Sequence, residues 1–239
     1  MKTLLTNGCS WTYGGGLDIT EEQNRVRPYV VWPNQLKELM QFDNCVNLAM
    51  GCGSNQRILR TTTNWLLKQD KEVLKNTTAV IQWTELSRYE YYYPTTDDPY
   101  DDIEENWALV KAGVLICEPN KDYHSNTELD KSQRRYETMT ELEILYTHLS
   151  HVEAMTSLFN SFGVKHYYWN FVTPYHLTHH HIKDFILSRY NWLEPYGRHT
   201  WDYERIGSHD PHPSVLGHKQ IAIHIKQAIE KLYGESCTI

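Results

Sequence analysis

The run Thr78-Ala79-Val80-Ile81-Gln82-Trp83 constrains the fold of this chain more than any other stretch. It is largely apolar over the length of one strand, without the alternation of a strand that keeps one wet face. Such a run fits a strand covered on both sides, as in the parallel sheets of α/β proteins. Two shorter runs precede it: Leu4-Leu5, which leads into a turn, and Cys45-Val46-Asn47-Leu48-Ala49, a second strand. Between them Trp32-Pro33 opens a helix with Leu36, Leu39 and Met40 on one face, the proline suiting its first turn. Ser54 is placed to cap the next helix, through Ile58, Leu59, Trp65 and Leu66, in which Thr61-Thr62-Thr63 is a weak point. Strand, helix, strand, helix, strand is the opening of a doubly wound fold, with an expected sheet of about five strands in the order 2-1-3-4-5.

Residues 17 to 29 are polar and are expected to be irregular. After the third strand, residues 89 to 135 form a long polar insertion with Tyr91-Tyr92-Tyr93-Pro94 and the acidic stretch Asp97 to Glu105. A connection of that length in a compact domain is a lid, a partner-binding excursion or a solvated surface loop, and irregular structure is expected there. From Tyr136 to Phe162 apolar residues recur at helical spacing up to a stop at Gly163, and Val164 to Phe171 supplies a fourth strand. A helix is expected over Ile182 to Leu193, then a polar segment over 194 to 213, then a last helix through Ile221, Ile225, Ile229 and Leu232. At 239 residues the chain is expected to form one domain, 1–239, with an insertion at about 89–135.

The formal charge of −7 and the absence of a clustered basic segment argue against nucleic acid as a partner. No apolar run approaches bilayer length and no leader-like segment opens the chain, so no membrane association and a cytoplasmic location are expected. Five cysteines without Cys-x-x-Cys spacing indicate neither a disulfide framework nor a zinc ribbon, and 17 Tyr with 8 Trp suggest a surface that grips something.

The first strand breaks into Asn7-Gly8-Cys9-Ser10-Trp11-Thr12-Tyr13-Gly14-Gly15-Gly16, which puts Ser10 at a strand's carboxyl end, the edge where open α/β sheets bind ligands. A serine hydroxyl needs a positioned base to act as a nucleophile, and Asp210-Pro211-His212-Pro213-Ser214 offers one far along the chain. Gly8-Cys9-Ser10, the loop Asn47 to Asn55, and Asp210 to His212 continued through Gly217-His218 resemble, in that order, three of the sequence blocks of the SGNH/GDSL hydrolase family. The resemblance implies a flavodoxin-like three-layer α/β/α fold with a mostly parallel five-stranded sheet, and serine chemistry on an ester or acetyl group. The family's third-block asparagine is replaced here, with Thr84 at roughly its position, and its Asp-x-x-His is here Asp-x-His.

In this reading Ser10 attacks an acyl carbonyl, His212 moves the proton, and Asp210 orients the imidazole, reaching it only if the chain bends at Pro211. Oxyanion donors could come from the Ser10 amide, an amide of the Gly51-Cys52-Gly53 loop, or the side chain of Thr84 or Asn55. The substrate would be a small-molecule or glycan acyl ester, with no cofactor and no metal. Several other features lead elsewhere. Cys9, beside Ser10, should point into the core. His176, His179, His180 and His181 have no acidic or cysteine partner at metal-ligand spacing, and Gly14-Gly15-Gly16 is not followed by the Lys-Ser or Lys-Thr of a phosphate loop. The competing reading keeps the fold without efficient catalysis and uses the aromatic insertion as a partner site; in it Asp210 caps the last helix and His212 is a packed loop residue.

Overall fold

A computed structural model describes residues 1–17, 20–86, 88–92, 107–111, 114–117, 138–170, 190–193, 203–207 and 209–233. Its centre is a parallel sheet of β1 (Thr3–Asn7), β2 (Asn44–Asn47), β3 (Thr77–Trp83) and, late in the chain, a strand at Lys165–Asn170. The order is β2, β1, β3, then 165–170 at the far side. Leu4 lies opposite Cys45 and Thr78, and Val80 opposite Tyr167. Beyond the fourth strand, Tyr168 N–H donates to Asn191 O at 2.9 Å and Trp192 makes a parallel bridge with Tyr168, which marks the fifth position of the expected order. The α/β class with a mostly parallel sheet is therefore as expected. Residues 190–193 run beside a strand, which corrects the end of the helix expected over Ile182 to Leu193; the rest of that segment, and His176 to His181, lie outside the described residues.

The two-residue period of a strand sends neighbouring side chains to opposite faces, and both faces are buried. Leu5, Ala79, Ile81, Trp83 and Tyr168 enter one core, with Ile58 and Leu66 of the helix Asn55–Leu67 and Val152, Met155 and Phe159 of the helix Glu141–Phe162. Leu4, Val80, Tyr167 and Trp169 enter the other, with Trp32 and Leu36 of the helix Trp32–Leu39 and Ile221 and Ile225 of the last helix, Val215–Tyr233. Helices on both faces give three layers.

Chain punctuation follows from side chains in the turns. Ser54 Oγ accepts from Arg57 N–H at 3.1 Å and caps its helix, and Gly163, in the left-handed region at φ +70°, ends the 22-residue helix begun by the Thr140–Glu143 capping box. The segment expected to be irregular over 17–29 holds instead a helix at Glu21–Val30, started by a capping box between Thr20 and Gln23 that fixes its first turn without apolar burial. Within the insertion, β4 (Arg88–Tyr92), β5 (Trp107–Lys111) and β6 (Val114–Cys117) pair into an antiparallel sheet, which corrects the expectation of irregular structure for those residues. Glu90 ties the first of these strands to the body, accepting from Arg60 Nε and Nη2, each at 2.9 Å. Among the described residues no helix is long and apolar enough to cross a membrane.

Candidate active site

Ser10 opens a helix of one turn, Ser10–Tyr13, directly after β1. The turn is closed by Thr12 and Tyr13 N–H donating to Cys9 O, each at 3.0 Å, and by Gly14 and Gly15 N–H donating to Ser10 O. Beneath it Asn7, fully buried, points its carboxamide at the Asn55–Leu67 helix: Nδ2 faces Ile58 O at 3.2 Å and the hydroxyls of Thr61 and Thr62 at 2.8 and 2.9 Å, while Oδ1 accepts from Gly8 N–H. The threonines that weaken that helix locally thus anchor the end of β1. Cys9 is buried, its thiol 3.7 Å from Gln82 Oε1, on the core side as expected.

The histidine arrives on a hairpin of two short strands, Arg205–Gly207 and Asp210–Pro213. His212 Nε2 lies 2.9 Å from Ser10 Oγ, and its Nδ1 lies 2.7 Å from Asp210 Oδ1, which also accepts from His212 N–H at 2.9 Å. With Nδ1–H donated to the carboxylate, Nε2 is free to accept from the serine hydroxyl. No bend at Pro211 is needed, contrary to expectation. Residues i and i+2 of one strand share a face, so Asp-x-His spacing on a strand brings the carboxylate beside the ring. Burial works to raise the Asp210 pKa, but the backbone and side-chain hydrogen bonds from His212 and the pair's Coulomb attraction outweigh it, holding the carboxyl below its usual value. Ser214, not Asp210, caps the last helix, accepting from Gly217 N–H at 3.1 Å and donating to Glu204 Oε1 at 3.0 Å.

The glycine run after Ser10 shapes this contact, and the sequence reading passed over it. A β-carbon on Gly15 would lie 3.0 Å from both His212 Nε2 and Ser10 Cβ, and one on Gly16 would lie 2.8 Å from Asp210 Oδ2. The informative signal was three glycines in a row immediately after a one-turn helix carrying a serine. Gly53 packs in the same way against the turn that carries Ser10, where a β-carbon would meet Gly8 O at 2.9 Å.

Of the other donors considered, the Gly53 amide donates to Met50 O at 3.1 Å, and the Asn55 carboxamide grips the Thr84 main chain, accepting from its N–H at 2.9 Å and donating to its carbonyl at 3.3 Å. The Thr84 hydroxyl is buried and, among the described residues, has no hydrogen-bond partner. Cys52 sits in the left-handed region at φ +62°, between Gly51 and Gly53. Among the described residues no three metal-binding side chains come together.

The solved structure titled "Crystal Structure of TesA" superposes with a TM-score of 0.52 at 12% identity, covering 97% of this chain and 99% of that one. A lipase, Lip_vut3 from a goat rumen metagenome, superposes with a TM-score of 0.47 at 16% identity, over 95% of this chain and 97% of its own. The TesA likeness extends over nearly the whole of both chains and agrees with the α/β fold described above. No curated protein matches in sequence. The sequence pattern described as a "family of unknown function" (DUF6071) matches residues 18–137, just over half of the chain, and the protein belongs to that family.

Proposed function

We propose that this protein is a serine hydrolase acting on an ester or acetyl group, as an esterase, deacetylase or acyltransferase, with the whole chain as one domain carrying an insertion at 89–135. The observation that carries the proposal is the unbroken contact from Ser10 Oγ through His212 to Asp210, at 2.9 and 2.7 Å. These distances meet the geometric requirement for a general base and its orienting group. Ser10 Oγ attacks the acyl carbonyl as His212 Nε2 takes its proton. The imidazolium, steadied by the ionised Asp210, then returns the proton to the leaving oxygen or nitrogen. Water, or an acceptor alcohol, enters by the reverse sequence and frees the serine.

The oxyanion would be met by the Ser10 amide, which opens a helical turn and has no intrahelical acceptor, and by an amide of the Gly51-Cys52 stretch. Asn55 would serve indirectly, by fixing the Thr84 main chain. A small-molecule or glycan acyl ester remains the substrate class, with no cofactor required by this chemistry.

The test is labelling of the folded protein with a fluorophosphonate and hydrolysis of a short activated ester. Ser10→Ala should abolish labelling and, with His212→Ala, lower kcat by several orders of magnitude. Folded wild-type protein that takes no label would overturn the proposal and favour a binding module that keeps the fold.

A further inference from the structure

A pocket with a cavity volume of about 50 Å³ lies between the root of the insertion and the Glu141–Phe162 helix. Part of its wall is apolar, from Leu86 and Ile144, but two elements also turn nitrogen-bearing side chains into it: Arg88 from the β4 side, and His148 and His151 from the helix. His148 is 2% exposed and, among the described residues, neither of its ring nitrogens has a hydrogen-bond partner. Arg88 and His151 repeat the pattern, with Arg88 Nη1 and His151 Nδ1 buried and unpartnered among the described residues. The Arg88 side chain is 10% exposed, and its Nε is taken by Glu85 Oε2 at 3.3 Å.

Buried polar groups are nearly always hydrogen-bonded, so four such nitrogens from three side chains around one pocket call for a polar ligand, and the Arg88 donor for an acceptor on it. The set is suited to an anion. A guanidinium has donors only, and an imidazole adds a second donor when it takes up a proton beside a negative charge. While the pocket is empty its charge is modest, because Glu85 offsets Arg88 and burial, with His151 adding to it, keeps His148 neutral by lowering its pKa to about 3. Trp83, edge-on to the His148 ring at 5.3 Å and 83°, holds the imidazole in place. The apolar walls select against a bare ion in favour of an acid group carried on a small hydrophobic body.

We propose that this pocket binds the carboxylate or phosphate group of a small, partly apolar molecule, through Arg88, His148 and His151. The inference stands apart from the chemistry at Ser10.

Binding can be read on the full chain, labelled with ¹⁵N in its histidine rings and titrated with benzoate, phenyl phosphate and the neutral isostere benzamide. The two acids should move the same pair of ring signals saturably, one of which disappears in His151→Gln, and benzamide should leave them unmoved. The acid with the lower Kd identifies the group as carboxylate or phosphate. Arg88→Gln, shown to be folded, should weaken the better acid at least tenfold, whereas Ser10→Ala should bind it as wild type does. A wild-type protein that responds to neither acid, or equally to benzamide, overturns the proposal without any variant being made. An unchanged Kd in Arg88→Gln overturns it as well. Neither result would bear on fluorophosphonate labelling, so the two proposals fail separately.

Discussion

A hydrogen at the α-carbon of Gly15 decides whether His212 can sit over Ser10. The 3.0 Å approach of a would-be β-carbon to both residues leaves the imidazole no room except by moving away from the hydroxyl. Gly15→Ala, which asks the ring to give by a few tenths of an ångström, should therefore lower ester hydrolysis by about 10-fold, less than the ~10²-fold expected for a 1 Å displacement. The thermal midpoint should change little, since the histidine's hairpin is partly exposed and can shift. Activity equal to wild type would show that His212 reaches the serine in another pose. The glycine run marks a place of close approach in the sequence, but nothing local says what approaches; the group above Gly15 comes from about two hundred residues later.

Within the elements, Asn7 joins the end of β1 to the Asn55–Leu67 helix. Removing its carboxamide in Asn7→Ala strands the Gly8 amide and the Thr62 hydroxyl in a buried place, whereas Thr61 keeps its bond to Arg57 O. The expected loss is about 1–3 kcal/mol, the range for leaving buried polar groups unmet. Urea unfolding should show it as a lower midpoint with an unchanged slope. Thr62→Val, which removes one acceptor of three, should cost less. Loss of esterase activity beyond the loss of folded protein would show that Asn7 also sets the angle of the nucleophile turn.

For the whole molecule, buried histidines set the acid limit of stability. His148 and His218 are held to pKa values of about 3, chiefly by desolvation, against 6.5 for the free side chain. His218 Nδ1 also accepts from Trp32 N–H at 3.2 Å, a bond that a proton on that nitrogen would break. Between pH 6.5 and 3 the unfolded chain binds protons at these sites and the folded chain does not, so stability rises with pH across that window. At pH 6.5 each contributes about half its full slope, and by about pH 7.5 almost none. Below pH 6.5 each should remove up to about 1.4 kcal/mol per pH unit. His151 and His166, also lowered by burial, act in the same direction. The lowered Asp210 contributes stability that is lost only as pH falls below about 3.8. Urea midpoints at pH 7.5, 6.5 and 5.5 should fall slightly over the first interval and about three times as far over the second. A flat profile down to pH 5.5 would mean that these histidines are hydrated or paired.

The apolar run at 78–83, the strand at 165–170, the Ser54 cap and the stop at Gly163 were legible in the sequence because each rests on neighbours within one or two turns of chain. The same is true of the parallel sheet, since strands buried on both faces and separated by helices have few other ways to pack. Ser10, His212 and Asp210 could be named from their residue types and order, and Ser10 and His212 expected in reach of each other, but how Asp210 meets the ring could not be told. Ser10 and His212 are 202 residues apart, and whether Asp-x-His joins or separates its two side chains depends on whether the segment is a strand, which pairing with 205–207 decides. Long-range pairing also orders the described strands of the insertion, two of which, Trp107–Lys111 and Val114–Cys117, are short apolar runs inside an otherwise polar stretch. Tertiary structure alone placed Arg88, His148 and His151 around one pocket, because periodicity reports which face a residue occupies and not what is packed across from it.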